Sequence, residues 1–187
     1  MAVEVRLLTV EDYHRMAEAG IFHSEERVEL LAGQVIQTAV KGTAHSVANT
    51  RTRRSIENRL GTRALVRVQE PIQLDDYSEP EPDIAIVIPR SLEYTDHHPV
   101  ATEVLLVIEI ADSSLRLDCG MKAIACAKSG IADYWVLDIV DRKLHVFRSP
   151  NAEGYQSELV LGETMDIAPL AFPDCVISVR EMLQPVM

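Results

Sequence analysis

Apolar residues along this chain recur with two periods, and the switches between them predict the order of elements. Thr9 with Asp12 three positions later resembles a capping box, and Gly20 closes the pattern, so residues 10–19 are expected to form a short helix. Residues 28–31 and 34–38 are β-branched or apolar on either side of Ala32-Gly33, which predicts two strands joined by a tight turn, with Glu29 in the first. From Thr43 to Leu60, Ala44, Val47, Ala48, Ile56 and Leu60 recur at multiples of three and four and Gly61 follows, the pattern of a long helix. Residues 64–69 alternate, and residues 84–88 form an apolar run bounded by Pro89; both read as strands. Residues 103–110 contain Val104-Leu105-Leu106-Val107-Ile108, a nearly unbroken run that implies burial on both faces and hence a central strand. A helical segment follows through Leu115, Cys119, Lys122, Cys126 and Ser129 until Gly130, and then a strand over 134–139. Residues 142–148 and 155–161 suggest a meander of extra strands, and 178–183 a short terminal helix.

At 187 residues, with no repeat, low-complexity tract or linker, the expectation is one domain over residues 1–187 built on one core. Hydrophobic residues make up 47% and charged residues 25%, which excludes a disordered or fibrous chain. No apolar segment is long enough to span a bilayer and no export signal stands at the start, so the chain is expected to be cytoplasmic and free of membrane. Cys119, Cys126 and Cys175 include no C-x-x-C pair, which excludes both a disulfide framework and a four-cysteine zinc site.

The net charge of −11 argues against nucleic acid until its distribution is considered. Residues 41–67 carry Lys41, Arg51, Arg53, Arg54, Arg59, Arg63 and Arg67 against the single acid Glu57, so this segment is +6 and the remainder −17. A local basic face on an acidic body is one reading, with Arg51 and Arg54 as DNA-contact candidates; a solvated helix face is the other.

Asp83 opens one buried strand and Glu109 lies at the far end of the next. If these strands pair antiparallel, the two carboxylates meet at one edge of the sheet. They would repel unless something positive sat between them, and a hard divalent cation, magnesium or manganese, is the usual solution. Lys122 shares a helix face with Asp118 and Cys126 and could reach back to the strand end, giving an ammonium beside the carboxylates. On composition alone the favoured reading of Asp118 and Lys122 is a surface ion pair worth about 0.3–0.5 kcal/mol.

Six elements occur in order: Glu29-Leu30-Leu31-Ala32-Gly33, His45, Pro82-Asp83, the stretch from Glu109 to Ser114, Asp118 to Lys122, and the stretch from Gly130 to Asp138 that includes Tyr134-Trp135. Together they resemble the PD-(D/E)XK nuclease superfamily and, more narrowly, its Uma-type family of restriction endonucleases, over most of the chain. The resemblance implies an α/β fold with a central mixed β-sheet flanked by helices in the order α-β-β-β-α-β, elaborated by N- and C-terminal strands. It implies Asp83 and Glu109 as metal ligands with the Ile110 carbonyl as a third, and Lys122 as the catalytic lysine, because Ala111 occupies the superfamily's usual lysine position. Glu29 occupies the position of an additional acid in this family, although a lone glutamate near a turn is more often exposed. His45 could orient water or contact phosphate, or be a satisfied polar group near a helix start. Two departures stand out: Cys126 replaces a tyrosine, and Asp112 replaces a serine.

The function expected is metal-dependent hydrolysis of DNA phosphodiester bonds, double-stranded DNA being favoured, by a homodimer. The alternatives are a catalytically inactive nuclease-fold module for DNA binding or assembly, and a metallohydrolase of small phosphoesters. Asp96-His97-His98 crowds ligand-type residues but lacks ligands from elsewhere, Cys119 and Cys126 read as small hydrophobes, and Tyr134-Trp135 as core.

Overall fold

Residues 4–23 and 25–185 are described by the computed structural model. Helix α1 (Val10–Glu18) is followed by the hairpin of β1 (Val28–Leu31) and β2 (Gln34–Gln37), the long helix α2 (Thr43–Leu60), and strands β3 (Leu65–Arg67), β4 (Ile84–Val87) and β5 (Val104–Ala111). A helical segment comprising α3 (Leu115–Leu117), a π-helical turn (Asp118–Lys122) and α4 (Ala123–Lys128) leads into β6 (Asp133–Asp138). The chain ends with β7 (Lys143–Pro150), β8 (Tyr155–Gly162), a small pairing of β9 (Asp166–Ile167) with β10 (Ile177–Ser178), and α5 (Val179–Met182).

The main sheet has the order β3-β4-β5-β6-β7-β8, antiparallel everywhere except between β5 and β6. That parallel step requires a crossover, which the α3–α4 segment supplies. From α2 to β6 the order is the expected α-β-β-β-α-β.

Alternation along the central strands decides the layering. Ile84, Ile86, Leu106, Ile108, Ile110, Trp135 and Leu137 face one side, where Ala48, Ile56 and Leu60 of α2 and Val179 and Met182 of α5 cover them. Ala85, Val87, Val107, Ala111, Tyr134 and Val136 face the other, against Leu31 of the hairpin and Ala123 and Cys126 of the α4 segment. Burial on both faces explains the unbroken apolar runs. Asp83 and Glu109 stand at odd positions, so they project toward the hairpin and the α4 segment.

The Thr9 capping box is present in full, with Thr9 Oγ1 accepting from Asp12 N at 3.1 Å and Asp12 Oδ2 from Thr9 N at 3.2 Å. Ala32 (φ 48°) and Gly33 (φ 73°) make the hairpin turn with two left-handed residues, as a two-residue loop between twisted strands demands. A Cβ on Gly33 would stand 2.5 Å from Leu7 Cβ, so glycine is required there on both counts. Three features differ from the sequence reading. β3 is only three residues long, the β9–β10 pair was not expected because two-residue strands carry no period, and the crossover helix contains the π turn.

Asp96-His97-His98 lies in the connection between β4 and β5 and is a local tether. His97 Nδ1 is 2.9 Å from Asp96 Oδ1 and Nε2 is 3.0 Å from Glu103 Oε2, while Arg90 also holds Glu103. Hydrogen bonds to Glu103 and then Asp96 raise the pKa of this imidazole. A raised folded pKa means the tether is fully formed below the unfolded value of about 6.5 and is lost as pH rises through the folded value. Amide exchange in residues 89–103, corrected for intrinsic rate, is therefore expected to speed up as pH rises beyond about 6.5, and His97→Gln should abolish that dependence; identical profiles for both proteins would refute the tether.

Candidate active site

β4 pairs with β5 in a register that sets Ile84 against Ile108, and its continuation sets Asp83 against Glu109. The two acids lock onto each other's backbone: Ile110 N donates to Asp83 Oδ2 at 2.9 Å, and Asp83 N donates to Glu109 Oε2 at 3.2 Å. A strand residue presents its N–H and C=O to the same side, so the Ile110 carbonyl also faces Asp83.

Three further elements converge on this strand end. The β1–β2 hairpin docks on residues 77–81 through Gly33 N to Tyr77 O (2.7 Å) and Glu79 N to Leu30 O (2.9 Å), which places Glu29 under the site, where its Oε2 accepts from Glu81 N at 3.1 Å. The first turn of α2 brings His45 Nε2 to 3.0 Å from Asp83 Oδ2. The π turn brings in Asp118 and Lys122. Ala123 N reaches Asp118 O in the wider five-residue turn, and Tyr134 Oη donates to the same carbonyl at 2.8 Å. Local π geometry of this kind recurs at functional sites.

Lys122 Nζ lies 3.1 Å from Glu29 Oε1, 3.2 Å from Glu109 Oε1 and 3.9 Å from Asp118 Oδ1. The contact with Glu29 is an ion pair without a directed hydrogen bond. Lys41, from the connection between β2 and α2, places Nζ 2.5 Å from Asp83 Oδ1. Glu29, Asp83, Glu109, Asp118 and Lys122 are all buried. Four carboxylates thus face two ammonium groups, an imbalance of two charges before His45 is counted.

The protonation pattern follows. Burial acts to raise the Asp83 pKa, but the His45 hydrogen bond and the charge of Lys41 outweigh it and hold the carboxyl at about 2. Burial, reinforced by Asp118, Asp83 and Glu29, pushes Glu109 well above the ordinary carboxyl range against the pull of Lys122. Burial likewise raises Asp118, opposed by Lys122 and Ser114. Burial disfavours the charged form of Lys122, yet Glu109, Glu29 and Asp118 together raise its pKa, so it remains an ammonium. Among the four acids the environment weighs most heavily against the charged form at Glu109.

These residues line a cleft of about 290 Å³ whose rim includes Val40, Gly42, Asp112 and Ser113. Among the described residues no three histidine, cysteine, aspartate or glutamate side chains form a ready-made metal cage. The donor set nevertheless suits a small hard cation: oxygen ligands from adjacent strand ends, a carbonyl beside them, and two uncompensated charges. His45 Nδ1 is buried without a partner, so the imidazole is committed to Asp83 through Nε2.

A sequence model of the Uma2 family, described as "Putative restriction endonuclease", matches residues 10–180. The chain belongs to the Uma2 family. A solved structure described as a "putative nuclease belonging to DUF820" from Anabaena variabilis is similar with a TM-score of 0.75 and 19% identity, over 94% of this Uma2 chain and 97% of that one. At that identity the likeness shows the fold. A search of curated proteins gives no match.

The structure brings all five candidates from the sequence, Asp83, Glu109, Lys122, Glu29 and His45, into this one cluster. Asp118 and Lys122 are not the surface pair that composition favours, because both are buried beneath the strand ends. Glu29 is buried rather than exposed, which the docking of the hairpin decides. Lys41 was not singled out as a site residue; the only signal was its lone place ahead of α2, since nothing in its neighbours marks it as a partner of Asp83. The basic segment is largely spent internally, with Arg53 on Glu57, Arg59 on Glu181, Arg63 on Asp174 and Arg67 on Glu70. Among the described residues Arg51 and Arg54 form no ion pair, and neither lines the cleft. Tyr134 and Trp135 are core, and Cys126 packs among apolar side chains.

In this Uma2 site Lys122 is the counter-charge for three buried acids, and removing one partner from such a cluster is costly. Lys122→Met is expected to lower stability at neutral pH by about 3 kcal/mol or more, read as the urea midpoint, whereas Glu29→Gln should cost less. An unchanged midpoint for Lys122→Met would show that the acids do not depend on it.

Proposed function

We propose that this chain is a nuclease that hydrolyses phosphodiester bonds of double-stranded DNA with a bound divalent cation, magnesium or manganese. The observation that carries this reading is the reciprocal locking of Asp83 and Glu109 at adjacent strand ends, under a charge imbalance of two and beside an open cleft. A cation held by Asp83, Glu109 and the Ile110 carbonyl would polarise the phosphoryl oxygen and lower the pKa of a bound water.

The chain's own groups set up that chemistry. Asp83 is kept anionic by His45 and Lys41 and supplies a constant negative ligand. Glu109, whose charged form is disfavoured by burial and by its acidic neighbours, is the acid that would gain most from an added positive charge. Lys122 keeps the acids together and offsets charge developing on the phosphate, and Glu29 positions Lys122. Hydrolysis breaks one P–O ester bond; water supplies a hydroxyl to phosphorus and a proton to the departing sugar oxygen.

Arg51 and Arg54 are proposed to hold the DNA backbone. Arg51 stands six residues beyond His45, about 9 Å along α2, and among the described residues neither arginine is committed to an ion pair. A two-fold pair through the outer edge of the sheet, where β8 exposes Leu159 and Val160, would present two clefts to two strands. The whole chain is taken to act as one domain. The acidic body favours a second reading, a hydrolase of small phosphoesters that needs no attraction to a polyanion.

Supercoiled plasmid incubated with Mg²⁺, Mn²⁺ or chelator is expected to be cut only with metal, and Asp83→Asn and Glu109→Gln should each lower the rate by about 100-fold or more. Turnover of bis(p-nitrophenyl) phosphate without plasmid cleavage would instead support the small-substrate reading. Equal cleavage by wild type and both variants would eliminate the site.

A further inference from the structure

The two lysines of the site are bound in different ways. Lys122 is buried, with 7% of its side chain accessible, and is held among three carboxylates. Lys41 is 20% accessible, and among the described residues its only ionic partner is Asp83. It belongs to residues 38–42, which line the cleft mouth and include Val40 at 92% exposure. A lysine on a flexible four-carbon stem with one anchor can leave that anchor, whereas one fixed by three acids at the base of a cleft cannot.

Lys41 also occupies the key atom. Asp83 Oδ2 already accepts from Ile110 N and His45 Nε2, and Lys41 takes Oδ1, so every contact to the Asp83 carboxylate is made by a proton donor of this chain. An added cation therefore competes with Lys41 for Oδ1, while the backbone amide and His45 hold the carboxylate in orientation.

We propose that Lys41 is an exchangeable internal cation: it neutralises Asp83 until a divalent cation binds, and then turns to the cleft mouth to contact the phosphate of the substrate. This rests on the proposed nuclease reading and assigns the phosphate-contacting lysine to the β2–α2 connection, leaving Lys122 as a fixed counter-charge. A phosphate in the cleft meets Lys41 first, because the Lys122 side chain is the more deeply buried of the two, 7% accessible against 20%.

Titration calorimetry with Mn²⁺ tests the exchange without relying on activity. Lys41→Gln is expected to bind Mn²⁺ about tenfold more tightly or better than wild type, since one competing unit charge has left a partly buried site. At saturating Mn²⁺ the same variant should cut duplex DNA more slowly, and Lys41→Arg should recover part of that rate. If wild type binds Mn²⁺ and Lys41→Gln binds it no more tightly, the exchange is overturned while the nuclease reading stands. Tighter binding with an undiminished rate would overturn the phosphate contact. If neither protein binds Mn²⁺ or cuts DNA, the proposal falls together with the reading of the site.

Discussion

Four carboxylates buried at one end of a hydrophobic sheet can coexist only if their repulsion is met by fixed positive charge and directed hydrogen bonds, and the architecture around β4 and β5 is arranged to provide both. The antiparallel register turns the backbone amides of Asp83 and Ile110 into donors for Glu109 and Asp83. Lys122 enters from the opposite layer at 3.1–3.9 Å from three of the acids. Without the crossover helix packed on that face, the ammonium could not be delivered; without the hairpin docked on residues 77–81, Glu29 would not complete its surroundings. The surrounding apolar layers also matter to the chemistry, since excluding water strengthens each of these interactions and makes an unmatched charge expensive.

The same economy of charge governs the helix on the other face. α2 is rich in arginine, but its outer end is tied to the C-terminal elements: Arg59 makes two contacts with Glu181, at 3.0 and 2.9 Å, Ser55 donates to Glu181 at 3.0 Å, and Arg63 grips Asp174 at 2.9 and 2.8 Å. These partly exposed pairs contribute modestly to stability one at a time. Their arrangement nevertheless fixes the axis of α2, and with it the His45 ring at its first turn, on which the orientation of Asp83 depends. A basic segment that resembles a binding surface is thus in large part a structural fastening, while among the described residues Arg51 and Arg54 form no ion pair and Lys41 turns to the site.

Asp133 shows how the far side of the sheet is secured. Fully buried at the start of β6, it accepts from Trp135 Nε1 at 2.8 Å, Arg148 Nε at 2.9 Å and Leu170 N at 2.8 Å, so one carboxylate joins β6, β7 and the segment leading to β10. Buried charge in this protein therefore appears in two forms. At Asp133 it is saturated by donors and serves cohesion; at Asp83 and Glu109 it is left with surplus negative charge and faces a cleft.

Much of the fold is written in local patterns. The capping box of α1, the Ala32-Gly33 turn, the period of α2 with Gly61 at its end, and the apolar runs of β4 to β6 each depend on residues close together in the chain, and the physics that reads them is local. The same runs, by implying burial on both faces, placed Asp83 and Glu109 at the ends of neighbouring central strands. Only tertiary structure decided the rest. Whether Glu29 is exposed, whether Asp118 and Lys122 form a surface pair, and which acid Lys41 meets all depend on contacts between residues 13 to 93 positions apart, for which a single sequence carries no period and no spacing. The π turn escaped for a related reason: Asp118 and Lys122 have ordinary helical spacing, and the Tyr134 hydroxyl that donates to the Asp118 carbonyl comes from β6, outside the turn. Local sequence determined which elements form and which faces they bury; the assembled sheet determined which charges must share one buried space.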